Sequence, residues 1–299
     1  KQVAERFTDH PNVIGYNLFN EPNPGSESVK IMTPVLLRAA AGLFLKTGRL
    51  LTSQDAVINL WMDDSERKTV SNLLKGKRLF SWIINGGRKR MHRAEQQLLQ
   101  PFYNLVTRAI RSVDPDTTIM IEPFSAEFMG IRSSITLPDK KSAYVPHVYD
   151  ITVDTGDGYT MSLSRVSAFF AVHGKDAEKM EAPLLIGEWG AFTDQECLKD
   201  PQKLVDLFER YRVSDTYWEY SKKLFTKERW FMPLINRPYV RKTAGTLKQA
   251  NTQFADSLFR CSWDETGVEP GTITEIYLPG EPQPDFLQNT WTVQKTGGG

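Results

Sequence analysis

The chain has little cysteine and little histidine. Its two cysteines, Cys197 and Cys261, can form at most one disulfide, which gives no indication of the redox compartment. We expect both to be free thiols. The four histidines, at positions 10, 92, 147 and 173, are too scattered along the chain to give the ligand spacing of a metal site. The sequence therefore predicts no metal and no other cofactor.

Excess charge and long apolar runs are also lacking. The 299 residues carry a net charge of +1, so there is no electrostatic reason to expect nucleic acid as a partner. The apolar run 35–45 is shorter than the roughly 18 residues of a membrane span and contains Arg38. We predict no transmembrane segment. The sequence leaves the compartment open, secreted and membrane-associated locations included.

Five short segments are rich in β-branched and apolar residues and are bounded by turn residues, which predicts strands. They are residues 12–20, 117–123, 142–149, 182–190 and 215–221. Helical patterns precede the second, fourth and fifth segments. Alternation of strands and helices predicts parallel strands joined by right-handed crossovers, hence an α/β sheet covered by helices.

The first two strands are separated by far more than the roughly 30 residues of a βαβ unit, so we predict an insertion at residues 24–95. Within it, residues 75–93 combine a cluster of large apolar side chains with eight lysine, arginine or histidine residues. This composition is compatible with peripheral contact to an anionic membrane surface. The other interpretation is a helical hairpin that packs its aromatic cluster on the main domain and exposes its charges.

Beyond residue 249 the pattern changes to strand-like runs separated by glycine and proline. We therefore predict a partial barrel domain at residues 1–248 and a small, incomplete β module of sandwich type at residues 249–299.

The predicted strands end in polar and aromatic residues of the kind that cleave and bind sugars. The ends carry Asn20 and Glu21, Glu122, His147 and Tyr149, Glu188 and Trp189, and Trp218 and Glu219. In a parallel barrel such ends converge on one mouth, where active sites lie. Paired carboxylates perform acid/base and nucleophilic work on glycosidic bonds, while flat aromatic rings stack on sugar faces. The strand ends therefore favour a glycosidase.

The sequence resembles glycoside hydrolase family 5 in a consistent order of motifs. These are "NEP" at 20–22, "HVY" at 147–149, "GEWG" at 187–190 and "YW" at 217–218. The stretches "RPYVRKTAG" (237–245) and "TEIYLP" (274–279) are similar to the barrel exit and C-terminal β domain of endoglycoceramidases and related glucosylceramidases. The resemblance covers nearly the whole chain except the insertion. It implies a (β/α)8 TIM barrel, of which about five βα units are visible.

By that resemblance Glu21 is the general acid/base and Glu188 the nucleophile of a retaining mechanism. Such a mechanism requires the two carboxyl groups to lie about 5 to 5.5 Å apart. Asn20, His147, Tyr149 and Trp218 are then substrate-binding residues, with Tyr149 also a hydrogen-bond donor that keeps Glu188 ionised. Glu122 and Glu219 are interpreted as supporting or surface carboxylates outside the catalytic set.

The resemblance implies hydrolysis of the β-glycosidic bond of glycosphingolipids, with release of glycan and ceramide. Alternatives are a β-glucosidase on glucosylceramide or steryl glucoside, a cellulase-like endoglucanase, and an inactive glycolipid-binding fragment. In the family the first catalytic glutamate ends the fourth strand, whereas here it ends the first. We therefore expect three upstream strands to be absent, and a protein limited to this chain to unfold with poor cooperativity.

Overall fold

A computed structural model describes residues 1–153, 161–192 and 198–280 of the protein. The chain divides into two units, Lys1–Ile235 and Asn236–Gly299. The boundary predicted at 248/249 lies inside a strand, Thr246–Gln253, that pairs along its whole length with Leu258–Asp264. A division at that point would split the hairpin, which is why the observed division falls earlier in the chain.

All five predicted strands are present in the first unit, with shorter bounds. They are β1 (Gly15–Asn17), β2 (Thr118–Ile121), β3 (Ser142–Tyr144), β4 (Leu185–Gly190) and β5 (Ser214–Trp218). Strand β2 lies between β1 and β3, and β4 pairs with β5, all in parallel. A parallel bridge between Tyr144 and Leu184 joins the two groups. The strands therefore follow one another in chain order and run in one direction, as in a parallel barrel.

Helices connect these strands as the sequence predicts. The helices of the first unit are α1 (Gln2–Phe7), α2 (Ser28–Thr47), α3 (Gln54–Met62), α4 (Asp64–Leu73), α5 (Lys77–Ile84), α6 (Arg88–Ala94), α7 (Gln100–Arg111), α8 (Leu163–Met180), α9 (Lys199–Tyr211) and α10 (Met232–Ile235). A π-helical segment, Glu95–Leu99, joins α6 to α7. Helix α9 shows how one is held in place. Its Leu204, Val205 and Phe208 are buried, and Phe170 of α8 packs on Phe208.

The insertion forms helices α2 to α6, of which α5 and α6 occupy the segment 75–93 where the sequence offers a helical hairpin. Ser53 and Asp63 begin α3 and α4 as N-caps, accepting hydrogen bonds from backbone N–H groups of the first turn. The insertion is tied to the barrel helices by Arg165 of α8. Its buried guanidinium pairs with Asp150 at 2.7 Å and donates to the carbonyl of Ser71 in α4 at 3.1 Å.

The aromatic cluster of the insertion packs inward in part. Phe80, Ile83 and Ile84 of α5 are buried, and Phe80 packs against Phe169 of α8 with ring centroids 5.7 Å apart. Trp82 is half-exposed and lies under the guanidinium of Arg38. The packing interpretation is thus confirmed for three of these side chains.

One helical stretch of the insertion, Gly25–Thr47, is long and apolar enough to cross a membrane by length and composition alone. Of that apolar window 22% is buried. The sequence prediction of no span rested on the short run 35–45, whereas the folded helix adds residues on both sides. Val29, Leu37 and Leu45 on this helix are exposed.

In the second unit, two antiparallel strand pairs are described. They join β6 (Tyr239–Lys242) to β9 (Glu275–Tyr277) and β7 (Thr246–Gln253) to β8 (Leu258–Asp264). Cys261 in β8 is a free thiol, as expected, while Cys197 lies outside the described residues. A β module is therefore present, and its classification as a truncated sandwich stays a prediction.

Candidate active site

The first catalytic candidate, Glu21, lies in the segment that follows β1. A glycine is required in this strand because a Cβ at Gly15 would lie 2.5 Å from the Met120 side chain and 2.9 Å from a β2 carbonyl. The chain then turns so that Glu21 adopts a positive φ of 44°, a conformation uncommon for residues other than glycine. Its backbone N–H donates to Oε2 of Glu122 at 2.8 Å. A carboxylate at the end of β2 therefore holds the turn that presents Glu21.

His147 lies at the centre of three carboxylates. Its side chain is 1% exposed. Nδ1 is 2.8 Å from Oε1 of Glu21 and 3.5 Å from Oε2 of Glu188, while Nε2 is 3.4 Å from Oε1 of Glu122. The ring of Phe128 stacks on the imidazole at a centroid distance of 5.0 Å. One imidazole thus connects the ends of β1, β2 and β4.

Glu188 is placed beside His147 by backbone pairing. The N–H of Gly187 donates to the carbonyl of Pro146, and the N–H of Val148 donates to the carbonyl of Glu188, at 3.0 and 2.9 Å. A side chain at position 187 would meet the His147 ring at 3.1 Å, so the close approach depends on glycine. The Tyr149 hydroxyl donates to Oε2 of Glu188 at 3.2 Å, which confirms the predicted contact.

The two predicted catalytic carboxylates meet. One oxygen of Glu21, one nitrogen of His147 and one oxygen of Glu188 all lie within 4.8 Å of one another, although the two glutamates are far apart in sequence. This approach fits the separation of about 5 to 5.5 Å that a retaining glycosidase needs between its carboxyl groups. The arrangement suits attack by one carboxylate and proton transfer by the other.

The charges of the site are linked through His147. Burial lowers the pKa of the imidazole, but hydrogen bonds to Glu122 and Glu21 outweigh it and raise that pKa to about 9. Burial raises the pKa of Glu188, against the stabilising effects of His147 and the Tyr149 hydroxyl. His147 therefore carries a positive charge at neutral pH, which offsets the charge of the carboxylates.

The remaining predicted residues lie at the strand ends, with different surroundings. Asn20 is exposed next to Glu21, and Trp218 is 53% exposed at the end of β5. Their assignment to sugar binding stays a prediction. Trp189, although it follows Glu188, is fully buried, and its indole N–H donates to Asp215 at 2.8 Å. Trp189 therefore links β4 to β5 inside the core and does not face the site.

Glu122 is the residue whose importance the sequence interpretation underestimated. It was set aside as a supporting or surface carboxylate, yet its side chain is fully buried and contacts both Glu21 and His147. The side-chain amide of Asn17 also donates to it. Its position at the end of a predicted buried strand was the available signal. Glu219, the other carboxylate set aside, is exposed.

Comparison with solved structures shows a shared fold. Endo-glycoceramidase II from Rhodococcus sp., in a five-membered iminocyclitol complex, matches with a TM-score of 0.56 and 21% identity, over 93% of this chain and 53% of that one. Its ganglioside GM3 complex matches with a TM-score of 0.56 and 20% identity over 93% and 52%. Its lactosyl-enzyme intermediate matches with a TM-score of 0.54 and 20% identity, over 93% of this chain and 52% of that one. This chain therefore spans about half the length of these structures.

Sequence comparison identifies the family. No curated protein sequence matches the chain. The profile of the family described as cellulase (glycosyl hydrolase family 5) matches residues 72–224, just over half of the chain, including His147, Glu188 and Trp218. The family and the shared fold imply a (β/α)8 barrel, to which the five parallel strands belong. The chain is a member of glycosyl hydrolase family 5.

Proposed function

We propose that the protein is a retaining β-glycosidase in which Glu188 is the nucleophile and Glu21 the acid/base. The observation that carries this proposal is the approach of the two carboxylates to within 4.8 Å, with His147 between them. Family membership makes a glycoside hydrolase the expected activity, and the retaining mechanism is typical of the family. The chain spans about half the length of the solved structures that it matches, so the activity of the whole protein is part of this proposal.

The chemistry follows from the arrangement of charges. Glu188 attacks the anomeric carbon and forms a covalent glycosyl-enzyme, while Glu21 protonates the departing oxygen. Glu21, ionised by that proton transfer, then deprotonates the incoming water, which attacks the anomeric carbon and breaks its bond to Glu188. Nδ1 of His147 lies 2.8 Å from Oε1 of Glu21, so the charged imidazole stabilises the carboxylate that proton transfer leaves.

We propose glycosphingolipids as the substrate class, cleaved between glycan and ceramide. Support comes from the structural neighbours, which include an endo-glycoceramidase in complex with ganglioside GM3 and the same enzyme as a lactosyl-enzyme intermediate. The C-terminal stretches 237–245 and 274–279 resemble the same subfamily. A β-glucosidase acting on glucosylceramide or steryl glucoside is an alternative function of the same class.

A cellulase-like endoglucanase is the second candidate, and the description of the matched family as cellulase favours it. Incubation of the purified protein with labelled ganglioside, glucosylceramide and cellotetraose separates these activities. Release of intact oligosaccharide from ganglioside supports the glycolipid proposal. Cleavage of cellotetraose alone contradicts it and establishes the endoglucanase.

Variants of the two carboxylates test the mechanism itself. Glu188→Gln keeps the shape of the side chain but removes the nucleophile, and we expect a loss of activity of about 1,000-fold or more. The matched control is Glu219→Gln, which removes an exposed carboxylate at the end of β5, and we expect it to retain activity. Glycolipid binding without turnover in the native protein, unchanged by Glu188→Gln, identifies a binding protein instead.

We also propose peripheral contact with an anionic membrane. The predicted segment 75–93 contributes basic side chains and the half-exposed Trp82, while its other large apolar side chains are mostly buried. The neighbouring helix α2 adds exposed Leu37 and Leu45. Cosedimentation with phosphatidylserine vesicles, compared with phosphatidylcholine vesicles, tests this contact. Binding that is equal on both, or unchanged by Leu37→Glu with Leu45→Glu, contradicts it.

A further inference from the structure

A second cluster of ligand-type side chains lies outside the candidate active site. His92, Glu95 and Glu127 each offer one atom, and these atoms lie within 4.8 Å of one another. His92 lies in the last turn of α6 and Glu95 begins the π-helical segment, so the spacing of three residues places both on one face. Glu127 comes from the turn Ser125–Met129 that follows β2. Two separate parts of the chain therefore converge on one point.

Glu127 is the unusual member of this cluster. Its side chain is completely buried, and among the described residues neither of its carboxylate oxygens has a hydrogen-bond partner. An ionised carboxylate in such a place is costly unless a proton or a cation compensates it.

The guanidinium of Arg132, five residues from Glu127 in the chain, contacts a different carboxylate. Arg132 forms an ion pair with the buried Asp176, whose second oxygen accepts the N–H of Ser133 at 2.9 Å. Glu95 accepts hydrogen bonds from the hydroxyls of Ser133 and Ser134 and, at 2.7 Å, from the N–H of Ser134. The guanidinium of Arg132 thus pairs with Asp176, and none of these contacts reaches the carboxylate of Glu127.

The orientation of His92 favours a cation over a shared proton. Its Nε2 contacts the carbonyl of Arg132, which only accepts hydrogen bonds, so this nitrogen carries the proton. In the neutral ring the other nitrogen, Nδ1, is an acceptor. Metal-binding histidines characteristically donate their second ring N–H to a backbone carbonyl in this way. A proton shared by Glu95 and Glu127 would not require an imidazole at the same point.

We propose that His92, Glu95 and Glu127 bind a divalent transition cation of the Zn²⁺ or Mn²⁺ class. One imidazole and two carboxylates suit these ions, whereas Ca²⁺ requires six to eight oxygen ligands. This site departs from the sequence prediction of no metal, because only the fold brings His92 near Glu127. The cation fixes the turn whose Phe128 stacks on His147, so it is a structural ion that supports the active site.

Metal content and thermal stability test the proposal on the purified protein. After dialysis against EDTA, we expect added Zn²⁺ or Mn²⁺ to bind at about one equivalent per chain and to raise the melting temperature by several degrees. Mg²⁺ and Ca²⁺ at the same concentration have a smaller effect. Glu127→Gln, which keeps the side-chain shape, loses both the binding and the shift.

Two matched variants locate the ion. Glu188→Gln removes a carboxylate from the other imidazole cluster, and Glu178→Gln removes an exposed carboxylate from α8. Both retain the metal-dependent shift if the buried cluster is the site. Should Glu127→Gln fail to fold, the native protein is loaded with Co²⁺, and an absorption band that Zn²⁺ removes reports the same site.

The opposite results overturn the proposal. Absence of stoichiometric metal in the native protein, together with an EDTA-treated Glu127→Gln variant as stable as the native protein, shows that the two carboxyl groups share a proton. Loss of the shift in Glu188→Gln assigns the ion to the active site. Neither result depends on glycosidase activity, so a failure of the proposed function is recognised separately.

Discussion

The charge on His147 predicts that the stability of the protein depends on pH. Hydrogen bonds to Glu122 and Glu21, which outweigh the opposing effect of burial, hold the pKa of His147 at about 9, against about 6.5 in an unfolded chain. A raised pKa means that the folded state binds the proton more tightly. The resulting stability is therefore fully present below pH 6.5 and is lost as the pH rises through about 9. The difference corresponds to about 3 kcal/mol of unfolding free energy.

Urea unfolding monitored by tryptophan fluorescence, at a series of pH values from about 6 to about 10, measures this loss. Tyrosine and lysine groups titrate in the same range, so the comparison is between the native protein and His147→Gln. The glutamine keeps a donor in the site but does not titrate. We expect the stability difference between the two proteins to shrink by about 3 kcal/mol across the range. A difference that stays constant with pH refutes the charged imidazole.

Four further predictions follow from buried groups. Burial lowers the pKa of His173 to about 4, so the neutral imidazole stabilises the fold above pH 6.5, and about 3 kcal/mol of unfolding free energy is lost as the pH falls through 4. In the same unfolding experiment His173→Gln reduces this loss, and an unchanged loss contradicts it. Arg165→Met removes the ion-pair partner of the buried Asp150 and lowers the unfolding free energy by about 3 to 5 kcal/mol. Adding Asp150→Asn recovers part of this loss, whereas additive effects of the two substitutions contradict the pairing. Phe169→Ala lowers the free energy of unfolding in urea by about 3 to 5 kcal/mol, and a much smaller loss contradicts the importance of its contact with Phe80 of α5. Glu122→Gln lowers kcat about 10-fold to 100-fold with little change in KM, and an effect on KM alone contradicts a positioning role.

The strands and their order were predictable because the signal is local. Buried parallel strands are short runs of β-branched and apolar residues, and five such runs gave the five strands. The polar residues at their ends, together with the resemblance to glycoside hydrolase family 5, indicated Glu21, His147, Tyr149 and Glu188 as site residues. A parallel barrel brings strand ends to one mouth, so the order along the chain already indicates which side chains meet.

The bounds of the elements were less predictable. Predicted strand 12–20 contains only three residues of strand, because the chain leaves β1 early and turns to present Glu21 with a positive φ. In the insertion, capping residues likewise divide the helices at points that its apolar pattern does not reveal.

The sequence by itself determined the class of fold, which depends on apolar patterns within single strands, and its resemblance to glycoside hydrolase family 5 indicated the pair of carboxylates. Only the tertiary structure decided what each carboxylate does to its neighbours. It buried Glu122 behind Glu21, placed His147 among three acidic groups, and brought His92 from the insertion to Glu127 beyond β2. Burial and charge coupling arise between residues that are distant in the chain, and no local pattern encodes them.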